Sequence, residues 1–317
     1  MINSDDYILD FGLRILHLPE KERTTTKQKD HVFKKTYGSS KCVLAAMWQD
    51  LLITIVDDAK LEGRERSETG LKMFLIAHCF LWTYPKNATL LANQFHICER
   101  NACGENLWKW IGKIAALLSS KVYWMPNLDD PSAATFAVSV DGVDFKIWEK
   151  PSALLNRDPL FCSNKFKACG LKYEIAVSLH DSRCVWVSGP FRGGKHDSTI
   201  YTGEEDEIDR NFREELGHED PYDCIQDVIA EGKLALVDAG YKGVKKASIP
   251  RQTDPKELHN YKSRGRCRTE TFNGRLKFYA ILQNCFRHGF RKHPLALKAV
   301  VVTVQYQMEL GAELFAI

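Results

Sequence analysis

The chain has 317 residues, of which 44% are hydrophobic and 27% are charged, and its formal net charge is +3 at pH 7. A chain of this length and composition can bury a sizeable core and usually forms two domains, which excludes a largely disordered protein. No stretch reaches the roughly 18 apolar residues of a membrane span, and the first residues lack the basic and apolar pattern of a signal peptide. We therefore expect no membrane partner.

The ten cysteines are scattered among apolar neighbours and contain no C-x-x-C pair. This pattern argues against a structural zinc module and against a disulfide framework. We interpret them as reduced thiols of an intracellular protein, which we expect in the nucleus, or in both cytoplasm and nucleus. The short basic cluster from Lys242 to Lys246 could serve nuclear import.

Residues 1–125 are predicted to form a separate, all-α module. Apolar residues recur at helical spacing after Ser39 and Ser40, which are good helix caps. A second helix is expected to end before Pro85. Asn87 can cap a short helix over residues 88–94, which a turn separates from a longer helix.

A short helix, a tight turn and a longer helix are the parts of a helix-turn-helix. The longer helix would place Leu107, Ile111 and Ile114 on one face. Its polar residues would include Arg100 and Lys109, which we predict to contact DNA. An ordinary helical bundle without a ligand is the alternative interpretation of this module.

Residues 126–317 are predicted to form an α/β domain. The strands follow from short apolar runs bounded by turn residues, at Phe136 to Val140, Leu171 to Leu179, Cys184 to Ser188 and Leu234 to Val237. The first three would form a meander, and the fourth would return to the sheet as a buried strand. A helix is expected to open at His196-Asp197-Ser198, with Asp197 or Ser198 as its cap. A mixed sheet flanked by helices results.

Three acidic residues stand in contexts that suit a metal-dependent nuclease. Asp141 follows the first strand, Asp238 follows the fourth, and Glu270 lies in a helix marked by Phe272 and Leu276. Mg²⁺ takes oxygen ligands such as carboxylates, and two such metals about 3.5–4 Å apart can catalyse phosphoryl transfer. These three residues are therefore predicted to be both the catalytic residues and the metal ligands.

Each of these acids also has a structural interpretation. An aspartate after a buried strand is often a turn former, and a glutamate in a basic helix is often a salt-bridge partner. Asp144 is close enough in sequence to Asp141 to compete as a ligand, and we interpret it as a spare carboxylate. The joint order of strand aspartate, strand aspartate and helix glutamate favours the nuclease.

Charge is separated along the second domain. Residues 204–231 are rich in acids, whereas residues 242–292 are rich in lysine and arginine and include Glu270. A basic region attracts a polyanion and releases counterions from its phosphates, although a charge run can also be only a solvated face. The predicted contacts to the DNA backbone are Arg264, Arg266, Arg268 and Lys277.

Four ordered motifs carry a resemblance to a known family. They are Asp141-Gly142, Gly193-Gly-Lys-His-Asp-Ser198, Asp238-Ala-Gly-Tyr241, and Arg266-x-x-x-Glu270 followed by Gly274-Arg-Leu-Lys277. The region from Asp141 to Leu282 resembles the DDE superfamily endonuclease domain of the PIF/Harbinger-type transposases. The resemblance implies a ribonuclease H-like fold in which the first and fourth strands lie side by side, bringing Asp141 near Asp238.

The resemblance also implies cofactors and partners. Two Mg²⁺ or Mn²⁺ ions would bind the three acids, and a 3′-hydroxyl freed by hydrolysis would attack target DNA. Duplex DNA, a separately encoded Myb-like DNA-binding protein and further copies of the chain in an active homo-oligomer are the expected partners. His196 and Asp197 are marked by the family motif, but a helix cap and a hydrogen-bonding histidine would also explain them. Where relatives begin the recognition helix with Thr or Ser, Cys98-Glu99 stands here.

The sequence thus predicts a Mg²⁺-dependent DNA endonuclease of the transposase type. A domesticated protein that keeps the fold and binds DNA or a protein without cutting is the main alternative. A two-metal phosphatase or an RNA nuclease on a similar sheet is a third interpretation, which the predicted helix-turn-helix disfavours.

Overall fold

The computed structural model describes residues 4–16, 25–54, 57–100, 104–132, 134–148, 161–218 and 221–317. The chain divides into two compact units. The helical unit comprises Met1–Lys121, Leu276–Asn284 and Leu295–Ala312, and the sheet unit comprises Val122–Arg275, Cys285–Pro294 and Glu313–Ile317. The predicted division at residue 125 lies close to the boundary after Lys121. The two later segments that group with the first helices were not anticipated.

Helices form most of the described part of the helical unit that precedes the sheet. They are α1 (Asp5–Arg14), α2 (Thr26–Tyr37), α3 (Lys41–Ile53), α4 (Glu68–Thr83), α5 (Ala88–Phe95), α6 (Glu105–Ala116) and the short α7 (Leu118–Lys121). Their core is aromatic, with the Trp48 ring 5.4 Å from Phe74 and 6.1 Å from Trp110 between centroids. Large rings of this kind bury much apolar area and so stabilise a helical unit of modest size.

Two of the predicted helix caps, Ser40 and Asn87, are confirmed. The Ser40 hydroxyl accepts from the backbone N–H of Val43 at the start of α3, and the Asn87 side chain accepts from the N–H of Leu90 at the start of α5. Each bond satisfies a backbone donor that has no partner within its own helix. The second predicted helix is α4, which ends at Thr83, before Pro85.

The longer helix of the predicted helix-turn-helix begins later than expected. Gly104 is the N-cap of α6, and its N–H donates to the carbonyl of Arg100. Arg100 therefore lies outside the helix that carries Lys109, because the glycine interrupts the expected run. Leu107, Ile111 and Ile114 are buried on α6 as predicted. The helix-turn-helix stays a prediction.

The sheet unit contains a mixed sheet of six strands. The strands are β1 (Phe136–Lys146), β2 (Cys162–Ser163), β3 (Ala168–Ser178), β4 (Cys184–Arg192), β5 (Leu234–Leu236) and β6 (Ala247–Ser248). Their order is β4-β3-β1-β5-β6, and the short β2 pairs with the first residues of β3. β1, β3 and β4 are antiparallel neighbours, whereas β1, β5 and β6 are parallel.

The remaining helices are α8 (Asp197–Tyr201), α9 (Glu207–Glu215), α10 (Ile225–Val228), α11 (Lys256–Leu276), α12 (Ala280–Gln283) and α13 (His293–Glu309). One core of the sheet unit packs Val138 and Ala235 against Tyr201 of α8 and Ile225 of α10. Strands that are packed against helices in this way consist mostly of apolar residues, so the sequence predicted them correctly as apolar runs. The mixed sheet flanked by helices is consistent with the expected ribonuclease H-like fold.

Three local expectations are corrected. β1 does not end at Asp141 but continues to Lys146, because residues 141–146 keep antiparallel partners on β3. The N-cap of α8 is His196, and Asp197 is already inside the helix, so neither Asp197 nor Ser198 is the cap. The helix that was expected to carry both Glu270 and Lys277 is α11, which ends at Leu276, so Lys277 lies just beyond it.

No helix within the described residues is both long enough and apolar enough to cross a membrane. All cysteines in the described part of the chain are free thiols, and Cys103 lies outside it.

A candidate active site on the parallel strands

Strand register places two of the predicted acids together. Ser139 on β1 pairs with Leu236 on β5 in the parallel part of the sheet. Asp141 lies two residues after Ser139, and Asp238 lies two residues after Leu236. Because parallel strands run in the same direction, their side chains at equal distances beyond a paired position lie at the same level of the sheet.

The Asp238 side chain is held by its own turn. One of its carboxylate oxygens, Oδ1, accepts from the N–H of Gly240 at 2.7 Å, in the turn Ala239–Tyr241 that follows β5. The turn-forming role that the sequence allowed for this aspartate is therefore present. It does not compete with the site, because the carboxylate retains further acceptor positions.

Asp197 supplies a third carboxylate at the same place. Its Oδ2 lies 3.6 Å from the position that a Cβ on Gly240 would occupy, and a Cβ on Gly142 would overlap its Oδ1. Gly142 thus leaves the space into which Asp197 extends from the first turn of α8, whereas a Cβ on Gly240 would make only an ordinary contact with it. The Gly193-to-Ser198 motif therefore places the Asp197 carboxylate beside Gly142, which explains Asp197 without a helix-capping role.

Burial and the repulsion between carboxylates dominate the electrostatics of the site. Burial, then the negative charges of Asp238 and Asp197, together raise the pKa of Asp141 to about 6, against an opposing hydrogen bond from Asn273 and the positive charge of Lys165. Like charges in a partly desolvated place disfavour the ionised form. A cation bound among these oxygens relieves that repulsion.

Lys172 on β3 is the ammonium nearest to Asp197. Its Nζ lies 2.9 Å from Asp197 Oδ1 and 3.9 Å from Asp144 Oδ1, and it donates to the carbonyl of Lys195 at 2.7 Å. Asp144 also accepts a hydrogen bond from the buried hydroxyl of Ser163. The Asp144 carboxylate therefore already has Ser163 and Lys172 as partners, which agrees with its interpretation as a carboxylate outside the metal site.

Helix α11 brings Asn273 to the strand aspartates, whereas Glu270 faces solvent. Asn273 Nδ2 donates to Asp141 Oδ2 at 3.0 Å, and Thr269 on the same helix donates to the Ser139 carbonyl at 3.0 Å. The Glu270 side chain is 54% exposed and pairs with Arg266, whose Nη2 lies 3.2 Å from Glu270 Oε1.

In this arrangement the described residues contain no group of three or more His, Cys, Asp and Glu side chains positioned to hold a metal ion. Asp141, Asp238 and Glu270 therefore stay a predicted triad, and Glu270 would have to leave Arg266 to join the other two.

The chemistry of the available donors fits a hydrated divalent cation. Among the described residues, buried oxygens without a hydrogen-bond partner include Asp197 Oδ1, Asn273 Oδ1 and the Tyr241 hydroxyl. Asp197 Oδ1 forms an ion pair with the Lys172 ammonium but no hydrogen bond with it. Carboxylate and amide oxygens with spare acceptor capacity are the ligands that Mg²⁺ and its waters prefer.

The predicted DNA contacts on α11 have different environments. Arg264 is exposed, with its guanidinium 5.8 Å from the centre of the Phe315 ring, and Arg266 is partly exposed beside Glu270. Arg268 is 2% exposed, and it donates to the carbonyls of Phe315 and Asp181. The burial of this guanidinium and its bonds to backbone oxygens argue against the predicted contact of Arg268 with DNA.

The predicted contacts in the helical unit are both at the surface. Arg100 is exposed, and Lys109 has a 60% exposed side chain although its Nζ lies 2.6 Å from Glu65 Oε1. Their contact with DNA stays a prediction.

Two residues of the site were not assigned from the sequence. Asn273 was recognisable only as a polar residue three positions after Glu270 on the same helical face. Lys172 lies directly opposite Asp144 on the neighbouring strand, a cross-strand charge pair that becomes visible once the register is known.

Comparison with protein families agrees with this geometry. Residues 140–305, more than half of the chain, match the model of the DDE superfamily endonucleases. The matched segment includes all four acids discussed above, Asp141, Asp197, Asp238 and Glu270. Searches of curated proteins and of solved structures returned no match. The chain belongs to the DDE superfamily of endonucleases.

Proposed function

We propose that this protein is a divalent-cation-dependent DNA endonuclease of the transposase type, with Asp141, Asp238 and Glu270 as its metal ligands. The observation that carries the proposal is that the parallel register of β1 and β5 brings Asp141 and Asp238 together and that Asp197 lies against Gly142; burial, and then the charges of Asp238 and Asp197, raise the pKa of Asp141 to about 6. A fold keeps such repulsion at a site when a bound cation compensates for it.

The three acidic residues would hold the cations together, each from a different element of the fold. Asp141 and Asp238 hold adjacent positions because of the parallel register of β1 and β5. Glu270 completes the set by rotating away from Arg266, since it lies on α11 only three residues before Asn273, which is hydrogen-bonded to Asp141. Two bound Mg²⁺ or Mn²⁺ ions supply an activated water and stabilise the leaving oxygen in phosphoryl transfer.

Arg264, Arg266 and Lys277 would hold the DNA backbone around Glu270. The two arginines lie on the helix that carries Glu270, and Lys277 follows its last residue. Basic side chains placed beside a metal site bind phosphates and raise the local concentration of a polyanion. Arg268 has no part in this contact, because it is buried.

The finer assignment is to the PIF/Harbinger-type transposases. It is supported by the order of the four sequence motifs and by the position of the Gly193-to-Ser198 motif, whose Asp197 reaches the strand aspartates. On this assignment the 3′-hydroxyl freed at an element end attacks target DNA. DNA sequence would be read through Lys109 on α6 and Arg100 in the segment between α5 and α6, the active form is a homo-oligomer with a Myb-like partner, and the protein acts in the nucleus.

Binding of Mn²⁺ and nicking of supercoiled plasmid test the proposed function together. We expect the parent protein to bind Mn²⁺ by calorimetry and to nick DNA in its presence. Asp141→Asn and Asp238→Asn should weaken Mn²⁺ binding and abolish nicking, because each removes an anionic ligand. Glu270→Gln should abolish nicking and weaken binding less. Glu257→Gln, an exposed glutamate in the first turn of the same helix, is the matched control and should behave like the parent.

A non-cutting factor that binds DNA or protein is the second candidate function. The ion pair between Glu270 and Arg266 favours it, because Glu270 then serves the helix surface and not the site. A parent protein that binds DNA but neither binds Mn²⁺ nor nicks would establish this function and refute the endonuclease.

A further inference from the structure

Two hydrogen bonds fasten α11 to β1 beside the carboxylates. They come from Thr269 and Asn273, which are four residues apart on the helix, and they end on Ser139 and Asp141, which are two residues apart on the strand. Four helical residues rise about 6 Å and two strand residues about 6.6 Å, so both bonds form without distortion. The match fixes the register of the helix on the strand.

The two bonds end on different kinds of acceptor. Thr269 donates to a backbone carbonyl, whereas Asn273 donates to the carboxylate that is proposed to bind the cation. Both donors are buried, with Thr269 0% and Asn273 5% exposed. Only the Asn273 bond can therefore orient a ligand, and comparing the two separates this role from packing.

The orientation of the Asn273 amide follows from the chemistry of its partner. An ionised carboxylate only accepts hydrogen bonds, so the amide nitrogen faces Asp141 and the amide oxygen is left for another donor. That oxygen, Asn273 Oδ1, is buried and has no partner among the described residues. A buried acceptor without a partner is costly unless a water or a cation completes it.

We propose that Asn273 is a positioning residue of the cation site, orienting Asp141 through its amide nitrogen and accepting from a water of the hydrated divalent cation through its amide oxygen. This inference rests on the proposed function, since it requires a cation at Asp141. It adds a neutral side chain to a site for which the sequence indicated only acids. The hydrogen bond also keeps the pKa of Asp141 lower than burial and repulsion alone would leave it.

Mn²⁺ binding measured on the full chain, by calorimetry and by the electron paramagnetic resonance of the bound ion, tests the inference. Asn273→Leu, which keeps the size but removes both polar atoms, should weaken Mn²⁺ binding about tenfold or more, as for other residues that orient metal ligands. Asn273→Ala is the second variant, in case the leucine does not fit. Thr269→Val removes the other hydrogen bond of α11 to β1 and should lower the melting temperature but change Mn²⁺ affinity less than about twofold.

Coupling to Asp141 distinguishes positioning from general loosening of the helix. In an Asp141→Asn background, Asn273→Leu should cause a smaller loss of Mn²⁺ affinity than in the parent, because the bond to residue 141 no longer orients an anion and only the contact of the amide oxygen with the cation's water is left to lose. The resonance of bound Mn²⁺ should change in Asn273→Leu but not in Thr269→Val. The inference is overturned if both Asn273 variants bind Mn²⁺ like the parent, or if Thr269→Val loses as much affinity. Absence of Mn²⁺ binding by the parent would instead refute the proposed function itself.

Discussion

The carboxylate of Glu270 accepts a hydrogen bond at 3.2 Å from Arg266, which lies one turn earlier on α11. The two side chains are 54% and 32% exposed, so water screens the pair. Exposed pairs of this spacing contribute only about 0.3–0.5 kcal/mol, which a DNA phosphate competing for Arg266 can replace. The pair is therefore weak enough for Glu270 to exchange Arg266 for the metal site when DNA is bound.

Replacing Arg266 by glutamine should separate its pairing with Glu270 from its proposed contact with a DNA phosphate. We expect Arg266→Gln to change the free energy of unfolding by less than about 0.5 kcal/mol, because the pair is exposed. DNA binding should weaken, and the slope of log affinity against log salt should fall by about one, because one phosphate contact is lost. Fluorescence anisotropy at several salt concentrations measures both quantities.

Arg210→Gln is the control for Arg266. Arg210 is an exposed arginine on α9, within the acidic part of the chain, and we expect its loss to leave the salt slope unchanged. An unaltered slope in Arg266→Gln would show that Arg266 serves Glu270 alone.

Arg268 should behave in the opposite way, because its guanidinium is buried and donates to the carbonyls of Phe315 and Asp181. Arg268→Leu removes two charge-assisted hydrogen bonds, to the carbonyls of Phe315 and Asp181, and with them the contacts that hold a buried side chain in place. We expect it to lower the free energy of unfolding by about 2–4 kcal/mol while the salt slope of DNA binding stays that of the parent. Urea unfolding and anisotropy provide the two measurements.

The matched variant for Arg268 is Arg264→Gln, one helical turn earlier and exposed. It should leave stability nearly unchanged and weaken DNA binding. A smaller salt slope in Arg268→Leu, with little loss of stability, would restore the original prediction that Arg268 contacts phosphate.

Gly142 tests whether Asp197 belongs to the site. A Cβ at this position would overlap the Asp197 carboxylate, so Gly142→Ala should displace Asp197 from Asp141 without altering any acid. We expect weaker Mn²⁺ binding and a loss of about 1–3 kcal/mol in stability, as is usual when atoms are added to a packed place. Calorimetry and urea unfolding measure the two effects.

Gly274→Ala provides the contrast to Gly142→Ala. Gly274 lies on α11, and a Cβ there would meet nothing within 4 Å. Alanine should stabilise the helix by about 0.5–1 kcal/mol and leave Mn²⁺ affinity intact. Equal Mn²⁺ affinity in Gly142→Ala and the parent would exclude Asp197 from the cation site.

Glu174 should make stability depend on pH. Its carboxyl is 1% exposed, and burial raises its pKa to about 8, although Trp186 Nε1 donates to it at 3.1 Å. The folded protein thus binds one more proton than the unfolded chain between the ordinary glutamate pKa, about 4.3, and pH 8, so the free energy of unfolding falls as pH rises through that range. Glu174→Gln should remove this dependence and stabilise the protein at pH 8.5 by up to about 5 kcal/mol.

Urea unfolding at pH 5 and pH 8.5 measures the effect of Glu174→Gln. The glutamine oxygen can still accept from Trp186, so the core contact is kept. At pH 5 the variant and the parent should differ by only about 1 kcal/mol, because the buried glutamate is protonated and pH 5 lies only a little above the ordinary pKa of the unfolded one. A difference between them that is the same at both pH values would show that the Glu174 carboxyl does not titrate in this range.

The sequence by itself was sufficient for features that depend on neighbouring residues. Caps such as Ser40 and Asn87 lie next to the helices they begin, and the apolar runs around Val138 and Leu236 are the buried strands. The adjacency of Asp141 and Asp238 was predicted as well, because it requires only the order of the strands and not their detailed packing. The length of β1 could not be predicted in the same way. The strand continues past Asp141 because it pairs with β3, which is distant from it in the sequence.

Only the tertiary structure decided which polar side chains face the site. Arg268 and Arg266 are alike in a sequence. In the fold, the buried Arg268 donates to the carbonyls of Phe315 and Asp181, both distant along the chain, whereas Arg266 lies beside Glu270. Asn273 gains its partner from a strand more than a hundred residues earlier, at Asp141. Local pattern sets which element a residue occupies, whereas burial and hydrogen bonding depend on what packs against that element.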